Sequence, residues 1–362
     1  MAALTVLGIE TSCDETAAAV ARLPDDGPVQ VLSSVVASQT EAHVPYGGVV
    51  PEIAARAHVE IIDTIIAQAL RGASVGFDAL DGVAATAGPG LIGGVMVGLS
   101  AGKAIALARG IPLIAVNHLE GHAVSPRLAG ELAYPFLLLL VSGGHCQLLE
   151  VEGVGACRRL GSTIDDAAGE AFDKIGKVLG LPYPGGPALE RLAEGGDPDR
   201  FPLPRALLGR DGCDFSFSGL KTAAARLAEG VSGDIDRRDL ACAVQGAIAR
   251  QLAERTDRAM AQYVRERGAA DLRFAVAGGV AANGEVRRRL QATAAARGFS
   301  FTAPPLMYCT DNAAMIALAG AERLRAGFRS GLDAAARPRW PLDEAAAANN
   351  PTHVPGRKGA KA

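Results

Sequence analysis

The chain has 362 residues, 49% of them hydrophobic and 4% aromatic, with a formal net charge of −3. This length exceeds one small core, and the 44 glycines indicate many tight turns, so we expect a soluble α/β protein of two domains. The negative balance excludes a general attraction for nucleic acid, and no apolar run is long enough to span a membrane. The N-terminus lacks a basic secretion leader, and the six cysteines form no CxxC pair. These features predict a cytoplasmic protein with reduced thiols.

The first predicted element is a hairpin close to the N-terminus. Residues 4–9 and 16–22 are strand-like apolar runs, and the segment between them carries Asp14 and Glu15. Asp14 is either an ionisable group presented at the hairpin tip or a turn residue that bonds to its own backbone.

A strand–helix unit follows. Residues 82–86 have the pattern of a buried strand, 87–90 form a glycine-rich loop, and 91–109 predict a long helix that ends at Gly110. Lys103 and several glycines interrupt this helix, which distinguishes it from a membrane span.

Two histidines stand four residues apart directly after the apolar strand 111–116. On a helix, His118 and His122 would share one face and could bind one metal ion. The alternative is a pair of solvated or core histidines, and the spacing alone does not decide between the two. Zinc proteases need a glutamate directly after the first histidine or before the second, whereas Glu120 lies in the middle position. The segment is therefore typical of a metal site that does not hydrolyse peptides.

The same hairpin design returns in the second half of the chain. Strand-like runs at 136–141 and 147–151 flank the turn Ser142-Gly143-Gly144-His145. Its glycines lack a Cβ, so the main chain can approach a bulky anion closely. Two such tips facing one another would hold a phosphate-bearing ligand from both sides.

A third glycine-rich turn, 278–283, joins the strand 274–277 to a helix that begins near Gly284. Helix N-termini favour anions, so three such turns predict a nucleotide-like ligand in a cleft between two lobes. The run Arg287 to Arg289 in this helix is either an RNA contact or a solvated helix face.

Near the C-terminus, Asp311 precedes an apolar helical segment at 313–319 and could be its N-cap. The residues from about 345 onward lack apolar periodicity, which predicts disorder.

Seven short motifs occur in order, and together they resemble one known family. They are Gly8-Ile9-Glu10-Thr11-Ser12-Cys13-Asp14-Glu15-Thr16, the HxxxH run, Val141-Ser142-Gly143-Gly144-His145, Tyr183-Pro184-Gly185-Gly186-Pro187, Asp214-Phe215-Ser216-Phe217-Ser218-Gly219-Leu220-Lys221, the turn from Gly278 to Asn283, and Cys309-Thr310-Asp311-Asn312-Ala313. The pattern is similar to the tRNA N6-adenosine threonylcarbamoyltransferase family (bacterial TsaD) over almost the whole length, up to about Arg325.

The resemblance implies the fold of actin, sugar kinases and heat-shock chaperones, with two related α/β lobes around an interlobe nucleotide cleft. Residues 1–116 with 300–330 would form the first lobe, 117–299 the second, and 331–362 a tail that is largely disordered from about 345. The implied reaction transfers a threonylcarbamoyl group from threonylcarbamoyl-AMP to N6 of the adenosine beside the anticodon, in tRNAs that read codons beginning with A.

The resemblance also assigns site residues by position. His118, His122 and Asp311 would bind one divalent metal ion, with Fe(II) favoured and Zn(II) possible, since this ligand set suits either. The resemblance does not assign the catalytic residues; as a mechanistic hypothesis, Asp14, with Glu15, projects from the first hairpin tip as the general base or the group that orients the amine. An adenine nucleotide, threonylcarbamoyl-AMP or ATP, would occupy the cleft. Its contacts would come from Val141, Ser142, Gly143, Gly144, His145, Asp173, Gly186, Glu190 and Asn283.

The implied partners are tRNA, a paralogous subunit (TsaB) and a small ATPase (TsaE), without a membrane. Two alternative functions are a metal-dependent peptidase and an ATP-dependent kinase of the same superfold. Phosphotransferases of this superfold commonly carry Asp-x-Gly-Thr at the first hairpin tip to bind magnesium, but residues 8–11 here are Gly-Ile-Glu-Thr. The missing aspartate disfavours kinase chemistry, as the position of Glu120 disfavours peptidase chemistry.

Overall fold

The computed structural model describes residues 2–46 and 48–349. Within these residues the chain forms ten β-strands, β1 to β10, and eleven α-helices, α1 to α11. The strands are Leu4–Glu10, Glu15–Leu23, Gln30–Ser38, Gly82–Gly88, Leu113–Asn117, Phe136–Val141, Cys146–Gly153, Ala156–Ser162, Arg273–Ala277 and Ser300–Thr302. The helices are Thr40–His43, Pro51–Gly72, Ile92–Arg109, His118–Val124, Ala168–Val178, Gly185–Ala193, Ser218–Ala228, Gly233–Arg267, Gly284–Ala296, Ala313–Arg325 and Glu344–Asn349.

The first sheet has the strand order β3-β2-β1-β4-β5. β1 pairs antiparallel with β2 and parallel with β4, and β4 pairs parallel with β5. These parallel strands are apolar because helices cover both faces: α2 and α3 pack on one side and α10 on the other. The carboxyl ends of β1, β4 and β5 therefore meet at one edge, which places Glu10, Thr86 and Asn117 near one another.

The second sheet has the order β8-β7-β6-β9-β10, with β6 antiparallel to β7 and parallel to β9. The order and the strand directions repeat those of the first sheet, and β9 pairs parallel with β10 as β4 does with β5. Both predicted hairpins are present, as β1–β2 and β6–β7. The predicted mixed α/β class is confirmed, and the repeated topology is what two related α/β units require.

Contacts divide the chain into two compact units. The first runs to Ala133 and includes Gly153–Ala156 and Pro304–Glu344, and the remaining described residues form the second. The sequence placed the first boundary at 116, but α4 packs against α10, so the segment 117–133 belongs to the first unit. The segment 300–303 contains β10, which pairs with β9, and it therefore belongs to the second unit.

The predicted tail is structured further than the sequence indicated. Residues up to 344 belong to the first unit, and α11 forms where disorder was predicted to begin. The Arg159 guanidinium donates a hydrogen bond to the Ala346 carbonyl at 3.0 Å, which fixes this helix. The rest of the predicted disordered segment, 350–362, lies outside the described residues.

Helix α3 is long and apolar enough, by length and composition alone, to cross a membrane. Packing also accounts for this apolar, glycine-rich composition, because the glycines let the helix lie close to the sheet and to the first hairpin tip. A Cβ at Gly102 would come within 2.9 Å of the Ala85 Cβ, and one at Gly98 would overlap the Thr11 hydroxyl. The helix thus covers one face of the first sheet.

Candidate metal centre and ligand-binding residues

A short buried helix carries the two histidines. β5 ends at Asn117 and α4 begins at His118, where the Asn117 side chain accepts a hydrogen bond from the Leu119 amide at 2.9 Å and so caps the helix. Every residue of α4 is buried. The four-residue spacing therefore directs both imidazoles to one face, as the sequence predicts.

The imidazoles meet the Asp311 carboxylate. The Nε2 atoms of His122 and His118 lie 2.9 and 3.6 Å from the same oxygen, Asp311 Oδ1. The two rings are nearly perpendicular, with centroids 4.7 Å apart. One ligand atom from each of the three residues lies within 4.8 Å of the other two. Two imidazole nitrogens and a carboxylate at these separations can share one divalent cation and leave coordination positions open.

Asp311 does not cap the helix that follows it. The N-cap of α10 is Asn312, whose Oδ1 accepts a hydrogen bond from the Met315 amide at 3.1 Å. The alternative role that the sequence left open for Asp311 is thus filled by its neighbour, and the Asp311 carboxylate faces the histidines instead.

Glu10 holds His118 from the side opposite Asp311, a contact that the sequence analysis missed. Glu10 Oε2 lies 3.0 Å from His118 Nδ1, and the carboxylate also accepts hydrogen bonds from the Ser12 amide at 2.6 Å and the Thr86 hydroxyl at 2.5 Å. A carboxylate on one ring nitrogen orients the other nitrogen toward a metal. The only available signal was an acidic residue that ends an otherwise apolar strand.

Burial and charge have opposite effects on the pKa values of His118 and Glu10. Burial disfavours a charged His118, but the negative charges of Asp311 and Glu10 outweigh it and raise the pKa of His118 to about 9. Burial would likewise raise the pKa of Glu10, yet the charge and the hydrogen bond of His118 hold it below the ordinary value. The two groups form a buried ion pair at neutral pH.

The first hairpin tip brings two more carboxyls to the same environment. Asp14 is 8% exposed, and its side chain shares hydrogen bonds with the Cys13 thiol and the Glu15 carboxyl. Burial, followed by the charges of Asp311 and Asp14, raises the pKa of Glu15 to about 9. The tip therefore lies within electrostatic reach of the triad.

Buried polar groups fix the backbone of this tip. His58 Nε2 lies 3.1 Å from the Cys13 carbonyl oxygen, to which it must donate, and His58 Nδ1 lies 2.8 Å from the Thr16 hydroxyl. The backbone amide of Gln39 donates to the Asp14 carbonyl at 2.9 Å. Sequence reasoning missed both His58 and Gln39, and a lone histidine within an amphipathic helix was the only signal.

Glu120 points away from the two histidines, as the sequence predicts. Its carboxylate pairs with the Arg323 guanidinium of α10 at 2.7 Å. The residue therefore fastens α4 to α10, and it is not positioned to activate a water molecule at the triad.

A C-terminal segment, residues 337–340, lies along the same edge of the first sheet; we call it the strap. The Arg337 amide donates to the Ala87 carbonyl at 2.7 Å, and the Asn117 side-chain amide donates to the Trp340 carbonyl at 2.9 Å. The Arg337 guanidinium lies over the Trp340 ring, 4.6 Å from its centroid. The strap thereby holds the residue that caps α4.

In the second unit, the predicted ligand turn at residues 142–145 is closed by its own hydrogen bonds. The Ser142 amide donates to the His145 carbonyl at 2.8 Å, and the His145 amide donates to the Ser142 hydroxyl at 3.2 Å. Gly143 and Gly144 are exposed at its tip. Such a turn presents main-chain N–H groups to an anion.

Glycines also let two other segments approach this turn. A Cβ at Gly169, in the first turn of α5, would lie 2.6 Å from the Ser142 carbonyl oxygen. Gly278 has a φ of +94°, and a Cβ there would overlap the carbonyl of Val141. The end of β6, the start of α5 and the turn after β9 are therefore packed backbone against backbone.

Asp173 and Gly186 meet at the N-terminus of α6. Asp173 Oδ1 accepts a hydrogen bond from the Gly185 amide at 2.7 Å, and the Gly186 amide also donates to this carboxylate. Burial raises the pKa of Asp173, although these amides lower it in part. The carboxylate predicted to contact the ligand is thus bound to the backbone.

Glu190 and Asn283 meet at the N-terminus of α9. Glu190 Oε1 accepts a hydrogen bond from the Gly284 amide at 2.7 Å. Asn283 caps the helix, because its Oδ1 accepts from the Val286 amide at 3.0 Å. Asp173, Gly186, Glu190 and Asn283, four of the predicted ligand residues, therefore lie at the N-termini of α6 and α9.

Comparison with known proteins identifies the family. The family model described as tRNA N6-adenosine threonylcarbamoyltransferase matches residues 30–318. A protein of that name from Caulobacter vibrioides is 74% identical over 359 residues, which cover 99% of this chain and 98% of the relative. Another from Maricaulis maris is 60% identical, covering 99% and 97%. Among solved structures, T. kodakarensis HypF has a TM-score of 0.58 at 17% identity over 89% of this chain and 48% of its own, a likeness of fold alone. The chain belongs to the tRNA N6-adenosine threonylcarbamoyltransferase family.

Proposed function

We propose that this chain transfers the threonylcarbamoyl group of threonylcarbamoyl-AMP to N6 of the adenosine beside the anticodon, in tRNAs that read codons beginning with A. Family membership over nearly the full length supports this reaction. The structural observation that carries it is the triad of His118, His122 and Asp311, in which both histidines are buried and the Glu15 carboxyl of the first hairpin tip interacts electrostatically with Asp311.

The triad would bind one divalent ion, and its donor atoms fit that role. Both histidine Nε2 atoms face the same oxygen of Asp311, while Glu10 occupies the Nδ1 side of His118. This set suits Fe(II) or Zn(II), and we favour Fe(II) because the family resemblance implies it. When bound, such an ion supplies a Lewis acid that holds and polarises a substrate oxygen.

The β1–β2 tip would orient and deprotonate the N6 amine of adenine. The N6 amine of adenine is a weak nucleophile because its lone pair is delocalised into the ring, so it must be oriented and must lose a proton to a nearby acceptor. We assign this task to Asp14. Glu15 shares a hydrogen bond with Asp14 and would keep its carboxylate in place.

The second unit would bind the adenylate portion of the donor. The N–H groups of the turn from Val141 to His145 would contact its phosphate, since exposed amides beside a helix N-terminus favour an anion. Gly186 and Asn283 would contact the ribose or the threonyl portion. Asp173 and Glu190 would hold the N-termini of α6 and α9 in position through the amides they already bind.

The test combines the purified chain and its partner proteins with threonylcarbamoyl-AMP and unmodified tRNA, followed by mass spectrometry of the nucleosides. Asp14→Asn should retain stoichiometric metal but form no threonylcarbamoyladenosine. The exposed Asp26 gives a matched control, and Asp26→Asn should modify tRNA fully. Normal modification by Asp14→Asn would remove that residue from the mechanism. Absence of product with the unaltered chain would contradict the proposed function itself.

We further propose that the chain acts in the cytoplasm with the paralogous subunit TsaB and the ATPase TsaE. Helices α2 and α3 support a subunit contact, because Val59, Ile92 and Met96 are 63%, 46% and 54% exposed on these neighbouring helices. Met96→Glu should weaken co-elution with TsaB in gel filtration, and unchanged co-elution would exclude this surface.

A further inference from the structure

A groove rich in arginine lies on the second unit, between α8, α9 and the loop that contains Arg205. Its volume is about 730 Å³. None of the described residues that line it is aromatic, whereas five are arginines. These five are Arg205, Arg250, Arg258, Arg288 and Arg289, and we call the feature the arginine groove.

The two acidic residues of the arginine groove already have partners. Glu254 accepts a hydrogen bond from Arg205. Asp257 binds Arg297, which lies outside the groove, through two hydrogen bonds of 2.6 and 2.7 Å. A bidentate pair of this kind satisfies the carboxylate, so Asp257 does not neutralise the groove arginines.

The helix α9 side of the groove keeps a net positive charge. Arg288 and Arg289 share one carboxylate, that of Glu285, at 2.8 and 2.5 Å. On the α8 side, Arg258 donates to the Arg210 carbonyl at 2.6 Å, and its ion pair with the fully exposed Asp211 is long, at 4.0 Å, so this carboxylate offsets its charge only weakly.

Arg250 is the most informative of the five. It is half-buried, and within the described part of the chain it has neither a hydrogen-bond partner nor an ion-pair partner. The N–H donors of this guanidinium are therefore available to an anionic ligand. The groove therefore carries uncompensated positive charge on a chain whose formal net charge is −3.

We propose that the arginine groove binds the sugar–phosphate backbone of the tRNA, an inference that rests on the proposed function. Helix α9 begins at Gly284, directly after Asn283, and Arg288 lies about 6 Å further along its axis. A substrate that extends beyond the candidate ligand residues would follow this helix into the groove. The lack of aromatic lining favours contacts to phosphate over stacking with bases.

The test measures the affinity of the full chain for an unmodified tRNA at several salt concentrations. The double variant Arg250→Gln with Arg288→Gln keeps most of each side chain but removes two charges. Its plot of log affinity against log salt should be shallower by roughly two, one for each lost phosphate contact. The exposed Arg226 of α7 does not line the groove, so Arg226→Gln should keep the original slope.

Several outcomes decide the matter. An unchanged affinity and slope in the double variant would overturn the groove assignment, and the proposed function would still stand if the unaltered chain modifies tRNA. Failure of the unaltered chain to modify tRNA would refute the proposed function instead. Loss of binding to an acidic partner protein with an unchanged tRNA slope would also overturn the assignment. If the double variant unfolds, Arg288→Gln alone, at an exposed position, should lower the slope by about one.

Discussion

The two units share one strand order but present different chemistry at the same place in it. At the β1–β2 tip of the first unit, side chains are the distinctive feature: Asp14 is buried, and the Glu15 carboxyl interacts electrostatically with Asp311 of the triad. At the β6–β7 tip of the second unit, the exposed Gly143 and Gly144 present backbone N–H groups, whereas the first amides of α6 and α9 are bound by Asp173 and Glu190. The same topology thus presents side chains at one tip and backbone N–H groups at the other.

This contrast predicts that the first unit is sensitive to loss of side chains and the second to addition of a Cβ. The largest expected effect is at the triad. His118→Ala with His122→Ala should abolish stoichiometric metal, as measured by elemental analysis, because one carboxylate cannot retain the ion. Glu120→Gln is the matched control on the same helix, and it should retain the metal because Glu120 faces Arg323. Metal retained by the double variant would remove the site assignment.

A smaller effect is expected at Glu10, which contacts His118 and is not itself a predicted metal ligand. Glu10→Gln should weaken metal affinity about 10- to 100-fold, because an amide cannot hold His118 in one tautomer by charge. Competition with a chelator of known affinity would measure this change. The exposed Glu41 provides the control, since Glu41→Gln should leave the affinity unchanged. Equal affinities of the Glu10 variant and the unaltered chain would show that Glu10 is merely a buried partner.

In the second unit, Gly278→Ala should lower the free energy of unfolding by about 1–3 kcal/mol, because the φ of +94° and the Val141 carbonyl both exclude a Cβ. Denaturant unfolding measures this difference. Gly144→Ala tests the same turn without the clash, since a Cβ there meets nothing within 4 Å, and its stability should remain within about 0.5 kcal/mol. Equal stabilities of the two variants would contradict the backbone packing described for this unit.

The most gradual effect concerns pH. The folded pKa of His118 is about 9 against an ordinary 6.5, and that of Glu15 is about 9 against 4.5. The folded, metal-depleted chain therefore binds more protons than the unfolded chain, and its free energy of unfolding should fall as pH rises toward about 9, from about 4.5 through Glu15 and from about 6.5 through His118. The contribution of His118 is fully present below 6.5. Metal must displace the His118 proton, so metal affinity should rise over the same range.

Thermal unfolding of the protein after a chelator has removed its metal, measured across this pH range, would check that stability falls as pH rises. Glu15→Gln removes one of the two groups and should make the decline shallower. A decline that is identical in this variant would exclude Glu15 as a contributor, and stability that rises with pH would contradict both assignments.

Local patterns in the sequence were sufficient for the elements but not for the environment of the site. The hairpins, α4 and the turn at residues 142–145 follow from periodicity and glycine placement within short segments. Glu10 and His118 are 108 positions apart, and Asp311 and His122 are 189 apart. No local pattern encodes such contacts, so Asp311 followed only from the family resemblance and Glu10 was missed.

The predicted domain boundaries differ from the compact units for a related reason. Residues 117–133 follow a strand of the first sheet and were assigned to the second lobe, yet Glu120 is fastened to Arg323 across 203 positions. The N-cap of α10 could not be predicted from the local sequence either, because Asp311 and Asn312 are both good capping residues. Only the contact between Asp311 and the histidines decides which of them serves.

The strap has a practical consequence for anyone shortening this protein. The family match stops at residue 318, in the middle of α10, whereas the carbonyl that secures Asn117 comes from Trp340. Trimming the chain to the residues that the family model matches would divide α10 and remove the Trp340 carbonyl that accepts a hydrogen bond from Asn117, the residue that caps α4. The residues that the family model matches therefore do not include all of those that make up the first unit.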